Sequence, residues 1–262
     1  MEHWLDPTLD ESTLRKTMEM LVEAVERHGL DFCSLGGCSS SWALAATPIL
    51  LAVSSRLSSS YRIDQDCPGP LLQSCKEAAR TVIDLSRREP SGSANFNFCV
   101  AFNCPPQIPF FPAAHHPSGQ PDTLTVGLES GDLLFLAFHG VGEDYSQGSS
   151  NLQDVMKQSL QPLEAELKAA CQEAGLLYGG IDASINPGLT PQESVAAGIE
   201  NLYPYRFGST GTLAAVAAVT SAIKSLHTTI QLTGYSGLML PVMEDLVLAA
   251  RAGNNSSSFC TY

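Results

Sequence analysis

The sequence is short of basic residues: 14 lysines and arginines stand against 27 aspartates and glutamates in 262 residues, a net charge of −13. A field of that sign repels phosphate backbones and anionic lipid surfaces, so nucleic acid is not expected as a partner. Also missing is any apolar run near the roughly 18 residues that a membrane span requires, so no membrane partner is expected. The start, Met1-Glu2-His3-Trp4-Leu5-Asp6, has neither a basic n-region nor an apolar h-region. No secretory signal is read there, and a cytoplasmic location follows by default.

Cysteine is present but lacks metal spacing. Four residues separate Cys33 from Cys38 and Cys99 from Cys104, and no C-x-x-C occurs. In a chain long enough to bury its own core, these read as reduced, mostly buried thiols.

What the chain does have is alternation. Leu14, Met18, Leu21, Val22 and Val25 recur at helical steps, and His28-Gly29 supplies a stop. Leu30 to Leu35 reads as a buried strand bounded by Gly36-Gly37, Trp42 to Leu57 as a helix disturbed by Pro48, and Leu71 to Arg88 as an amphipathic helix with a basic end. A polar turn, Glu89 to Ser93, follows. Phe96 to Phe102 reads as a strand, and the proline-rich stretch Asn103 to Ser118, with His115-His116, as a loop. Leu124 to Leu128 and Leu133 to Phe138 are strand candidates, Asn151 to Ala174 a long helix closed by Gly175, and Leu176 to Ile185 a strand. Glu193 to Leu202 and Thr212 to Leu226 read as helices, Thr229 to Thr233 as a strand, and Val242 to Ala252 as a last helix. Such alternation predicts one α/β domain over residues 1–262, with a mainly parallel sheet or barrel and helices outside.

The most specific local pattern lies in the last third. Phe207-Gly208-Ser209-Thr210-Gly211-Thr212 is followed by Gly234-Tyr235-Ser236-Gly237-Leu238-Met239-Leu240-Pro241-Val242-Met243-Glu244-Asp245. Upstream stand Asp182-Ala183-Ser184, Asn186-Pro187 and the histidine segment Phe110 to His116. This succession resembles the domain-of-unknown-function 711 family, also called uncharacterised protein family 0210. The resemblance implies a fold similar to glycyl radical enzymes, a ten-stranded α/β barrel of two half-barrels with an entering hairpin, and supplies no catalytic residue. Family chains continue past a Ser-x-x-Cys-Gly-x-Gly-Leu-Asp segment, whereas this sequence stops at Ser258-Phe259-Cys260-Thr261-Tyr262, so an incomplete barrel is expected. Cys260 aligns with the hairpin cysteine, but the glycyl-radical loop that such chemistry needs is not found, and radical catalysis is not expected.

Read for chemistry, Gly208, Ser209, Thr210 and Gly211 precede an alanine-rich helix. They make either a plain N-cap or a cap that also binds a carboxylate or phosphate. No lysine follows them, so this is no Walker loop. Gly234-Tyr235-Ser236-Gly237 lies between a strand and a helix, where α/β proteins place their sites. The nucleophile-elbow pattern G-x-S-x-G is absent, which leaves a ligand-binding turn or a structural one. Glu244 and Asp245 project from different helical faces, so at most one points inward; a buried carboxylate there would serve acid–base or metal chemistry, an exposed one the helix dipole. Asp182 at a strand end and His139 after an apolar run suit metal binding or proton transfer, and one of the His115-His116 pair lines the site.

The resulting expectation is an enzyme binding a small polar, anionic metabolite. Asp182, Tyr235, Ser236, Glu244 and His139 would be catalytic. Gly208, Ser209, Thr210, Gly211, Gly234, Gly237 and His115 would hold the ligand. A divalent metal is an open cofactor choice, and lyase, isomerase and hydrolase outcomes stay open. The alternative is a non-catalytic binding or assembly subunit, a homo-oligomer whose barrel another copy completes.

Overall fold

The computed structural model describes residues 1, 5–63, 71–88, 93–104, 109, 113–116, 119–142, 144–188, 190–202 and 205–253. The expected turn after Arg88, Phe110 and the tail with Cys260 lie outside the described residues. Contacts divide the chain into two compact units, Met1–Gln120 and Pro121–Tyr262.

In the first unit, α1 (Glu11–Arg27) starts at Asp10, whose carboxylate accepts the Thr13 N–H at 2.7 Å. Then follow β1 (Cys33–Cys38), α2 (Ser41–Leu51), β2 (Leu57–Ile63), α3 (Leu71–Arg88) and β3 (Phe98–Phe102). The strands form one parallel sheet in the order β1-β2-β3. Leu57, Tyr61, Ile63 and Phe98 join a core with Leu44 and Leu50 of α2 and Leu85 of α3. The central strand was not legible as one: its run Ser58-Ser59-Ser60 is polar, yet all three residues are wholly buried. β1 approaches this run closely: the Ser59 hydroxyl donates to the Gly36 carbonyl at 3.2 Å, and a Cβ at Gly37 would lie 2.5 Å from the Arg62 Cδ and 3.2 Å from the Ser60 Oγ. Two expectations shift accordingly. The first strand runs through Gly36-Gly37 rather than stopping before them, and the helix expected to reach Leu57 ends at Leu51 with Pro48 inside it.

The second unit contains β4 (Thr123–Gly127), α4 (Gly131–Phe138), α5 (Tyr145–Ala174), β5 (Leu177–Asp182), α6 (Val195–Leu202), α7 (Thr212–Ser225) and α8 (Leu246–Gly253). β4 and β5 pair in parallel, and one core gathers Leu134, Phe138, Leu152, Met156, Ile181, Ile199 and Val219. The strand expected over Leu133 to Phe138 is the helix α4. Its buried residues, Leu134, Ala137 and Phe138, follow helical steps, a distinction that a short apolar run does not make by itself. Gly131 permits this turn, since a Cβ there would lie 2.0 Å from the Glu193 carbonyl oxygen.

The strand expected over Thr229 to Thr233 is reduced to a bridge between Ile181 and Leu232, and a second bridge joins Ile185 to Leu238. Gly180, at φ 102°, lets the Gln231 carbonyl approach to where a Cβ would stand 2.5 Å away. Between the bridges the chain turns out of the sheet at Gly234 and Ser236, both with left-handed φ, which ends regular pairing. The sheets are short and parallel, and among the described residues they do not close into a barrel.

Candidate functional site

The C-terminal end of β5 and the 234–237 turn form one hydrogen-bonded unit around Asp182, which is wholly buried. Its Oδ1 accepts the Ser184 N–H at 2.9 Å, the Ser184 hydroxyl at 2.5 Å and the Ser236 N–H at 3.0 Å, while Oδ2 accepts the Tyr235 N–H at 2.8 Å. Ser236 closes the unit: its Oγ donates to the Thr233 carbonyl at 2.9 Å and accepts from the Ala183 N–H at 3.2 Å. A buried carboxylate needs such donors, and here the backbone supplies most of them.

Ser236 holds φ at 42°, an uncommon backbone state for a side chain of this kind. With Oγ engaged on both sides and the residue 3% exposed, it positions the turn and is not poised as a nucleophile. Tyr235 lies outward, half exposed, with its ring over Gly237, where a Cβ would come within 2.5 Å of it. The Lys224 Nζ sits 5.6 Å from the ring centroid and donates to the Tyr235 carbonyl at 2.8 Å. Beside it the His227 Nδ1 lies 2.8 Å from the Lys224 carbonyl. A carbonyl oxygen only accepts, so Nδ1 carries hydrogen and Nε2 keeps its lone pair in the neutral ring. These residues, with Leu232, Thr233, Gly234 and Ser236, line an open depression of about 440 Å³.

Lys224 and His227 were missed in the sequence, where they sit in a helix end separated by ordinary spacing. The signal available was a lysine in the last turn of a helix and a histidine three residues on, ahead of the Gly-Tyr-Ser-Gly run.

Other expected site residues fall elsewhere. Gly208 to Gly211 lead into α7, with Gly211 itself as the N-cap at φ 101°. The Ser209 hydroxyl donates to the Arg206 carbonyl and caps no helical N–H, while the Gly208 N–H is taken by Thr212 Oγ1. Gly211 and Lys224 stand at the two ends of this helix, roughly 20 Å apart at 1.5 Å per residue. The 208–211 turn does not line the depression. Glu244 is exposed, and the inward acid is Asp245, 1% exposed. Asp245 precedes α8 instead of lying within it: Oδ1 accepts the Val247 and Leu248 N–H groups and the Ser194 hydroxyl, the last at 2.6 Å. His139 is the exposed C-cap of α4, stacked on Phe135. His115 is half-buried in the first unit, its Nδ1 3.4 Å from the Ala113 carbonyl. Among the described residues no three His, Cys, Asp or Glu side chains gather in a metal-binding group.

Two further acids are tied into the second unit. Glu200 of α6 binds Arg251 of α8 through two bonds of 2.7 and 2.8 Å and accepts the Phe207 N–H. Burial pushes its pKa upward, but these bonds and the Arg251 and Arg206 charges outweigh that and hold it below the usual carboxylate range. At the other end of β5, Glu164 accepts the Gln231 N–H and the Tyr178 hydroxyl, and burial plus the Glu164 charge push the phenol well above its ordinary range.

A parallel α/β protein with a carboxylate-locked turn at a strand end is the class that fold and site define. The chain matches the family described as Uncharacterised ACR (DUF711) over residues 1–260, and it belongs to that family. It is similar to a UPF0210 protein of Pyrobaculum arsenaticum, 28% identical over 268 residues that cover 96% of this chain and 58% of the relative. A UPF0210 protein of Acetivibrio thermocellus is 26% identical over 263 residues, covering 93% and 58%, and one of Syntrophobacter fumaroxidans is 28% identical over 221 residues, covering 80% and 48%. The chain thus spans about half the length of these curated relatives.

Proposed function

We propose that this chain binds a small anionic metabolite, a carboxylate, in the depression beside the 234–237 turn and acts on it by acid–base chemistry. The observation that carries this reading is the pairing of Lys224 and His227 at one depression, with His227 fixed so that Nε2 faces away from its backbone partner as a proton acceptor. Lys224 spends one hydrogen bond on Tyr235, and its ammonium retains two donors for an oxyanion. Asp182, Ser184 and Ser236 hold the turn, and Tyr235 offers a ring face to the ligand while its hydroxyl donates to the Leu238 carbonyl at 3.4 Å. The location beside a strand end is where open α/β sheets take ligands. A divalent metal held partly by the substrate belongs to the same reading, as do lyase, isomerase or hydrolase outcomes.

Cys33, Cys75, Cys99 and Cys171 carry no disulfide, which suits a reducing cytoplasm, and no helix among the described residues is long and apolar enough to cross a membrane. The acidic net charge argues against nucleic acid. We take the ten-stranded barrel to be a property of the whole length of the relatives, to which these short parallel sheets would contribute.

The test is a 1H–15N NMR titration of the chain with succinate and, separately, with succinamide. Saturable shifts at Gly234, Tyr235 and Ser236 with the dicarboxylate alone support the reading; equal responses to both, or none, reject it. One observation favours assembly as a second reading: β3 is an outer strand of its sheet and leaves Val100 and Phe102 42% and 59% exposed. A concentration-dependent mass in sedimentation, abolished by Phe102→Lys, would support it.

A further inference from the structure

The first unit carries a second concave surface, at the edge where its strands begin. Phe32 directly precedes β1, Ser54 and Ser55 precede β2, and Asn97 precedes β3; with Leu51 and Ala52 at the end of α2 and Leu85 and Arg88 at the end of α3 they enclose a groove of about 480 Å³. That volume lies within the range of small-ligand pockets. Its walls are apolar, and Phe32 and Phe96 remain 56% and 65% exposed at its mouth. Large aromatic faces left in water at a concave site mark a place where an apolar body is taken up.

The polar groups are of two kinds. Asn97 is spent on structure, its amide donating to the Ser55 carbonyl and, at 2.7 Å, to the Leu57 carbonyl, which fixes the floor. Arg88 and Ser54 are uncommitted donors. Among the described residues Arg88 is the only cation lining the groove and pairs with no carboxylate, unlike its neighbour Arg87, which lies 4.0 Å from Asp84. The Ser54 Oγ accepts the Arg56 N–H at 3.2 Å, which leaves its hydroxyl hydrogen free to donate. One guanidinium, with the Ser54 and Ser55 hydroxyls, beside an apolar trough matches a single carboxylate on an apolar body. The single positive charge of Arg88 balances one carboxylate and would leave a phosphate dianion half neutralised.

We infer that this groove is a binding site for a small amphiphilic monocarboxylate, with an aryl or branched alkyl body between Phe32, Leu51, Leu85 and Phe96 and its carboxylate on Arg88. The site is independent of the depression in the second unit and of the function proposed for it. It gives the chain a place to sense or store an apolar acid, and the recognition chemistry is a salt-sensitive charge contact added to apolar burial.

The experiment titrates the full chain with 3-phenylpropionate and with its neutral amide, reading NMR shifts of Phe32, Leu85 and Phe96. The carboxylate is expected to bind about tenfold more tightly than the amide. Arg88→Met, which keeps the apolar stem, should remove that difference while leaving the affinity for the amide unchanged. Phe96→Ala should weaken both ligands alike. The proposal is overturned if the acid gives no saturable shifts in the groove, or if Arg88→Met leaves the acid's preference intact. It is equally overturned if Phe96→Ala changes the sedimentation mass instead, since the groove would then belong to a second copy of the chain.

Discussion

The carboxylate of Asp182 and the backbone N–H of Ser236 are 3.0 Å apart although 54 positions separate them in the chain. Through this contact the end of a strand and a distant turn become one object. Asp182→Asn puts an amide donor where N–H groups from Ser184, Ser236 and Tyr235 converge, so at least one buried donor loses its partner. The expected loss of folding stability is about 2–4 kcal/mol by urea denaturation, beyond the range of an ordinary surface change. A loss under about 1 kcal/mol would mean that the turn does not depend on this carboxylate.

Ser236 separates backbone from side-chain effects. Ser236→Ala keeps the left-handed φ of 42° and loses both Oγ bonds, whereas Ser236→Gly loses the same bonds and relieves the φ cost. The alanine variant should therefore be the less stable of the two, by about 1 kcal/mol in chemical denaturation. The reverse order would contradict the assignment of strain to this turn.

Gly180 tests the close approach beside it. Gly180→Ala meets a φ of 102° and the Gln231 carbonyl oxygen at 2.5 Å, a backbone atom with no flexible end to yield. Differential scanning calorimetry should show destabilisation of about 2 kcal/mol or more.

The fold was legible where periodicity and punctuation agree. Leu71 to Arg88 is helical over the expected span, as is the region closed by Gly175. It was illegible where burial is carried by residues without an apolar signature. Ser58 to Ser60 lie in a central strand flanked by β1 and β3, and that long-range pairing leaves no apolar mark on their own side chains. The Leu133 to Phe138 run was ambiguous because every position is apolar, so only packing selects the helix. In the candidate site, Asp182, Tyr235 and Ser236 are brought together by backbone hydrogen bonds to the carboxylate. The 208–211 turn did not join them, because α7 carries Lys224, and not its own N-terminus, to the depression. Of the adjacent acids, Glu244 faces water and Asp245 caps α8; sequence spacing showed that they diverge but not which one turns inward.

Glu200 and Arg251 make a pH-dependent clamp. The folded pKa of Glu200 is depressed, so its contribution is fully present above the pKa of the unfolded chain, about 4.3, and is lost as pH falls through the lower folded value. Glu200→Gln should cost about 1 kcal/mol at pH 7, after allowance for the pair's partial exposure. It should also flatten the acid limb of stability against pH below about 4. An unchanged acid limb would show that the clamp is electrostatically idle.

The central claim is that Lys224 and the Asp182-locked turn present a carboxylate site. The most direct measurement is calorimetric titration of succinate into the chain and into Lys224→Met. The account predicts binding in the millimolar range or tighter for the parent, about 4 kcal/mol or more of binding free energy. It predicts a loss of at least about tenfold in the variant. Thermal stability should move by no more than about 1 kcal/mol, since Lys224 is exposed. Equal succinate affinity in the parent and Lys224→Met, or no binding by either, would contradict it.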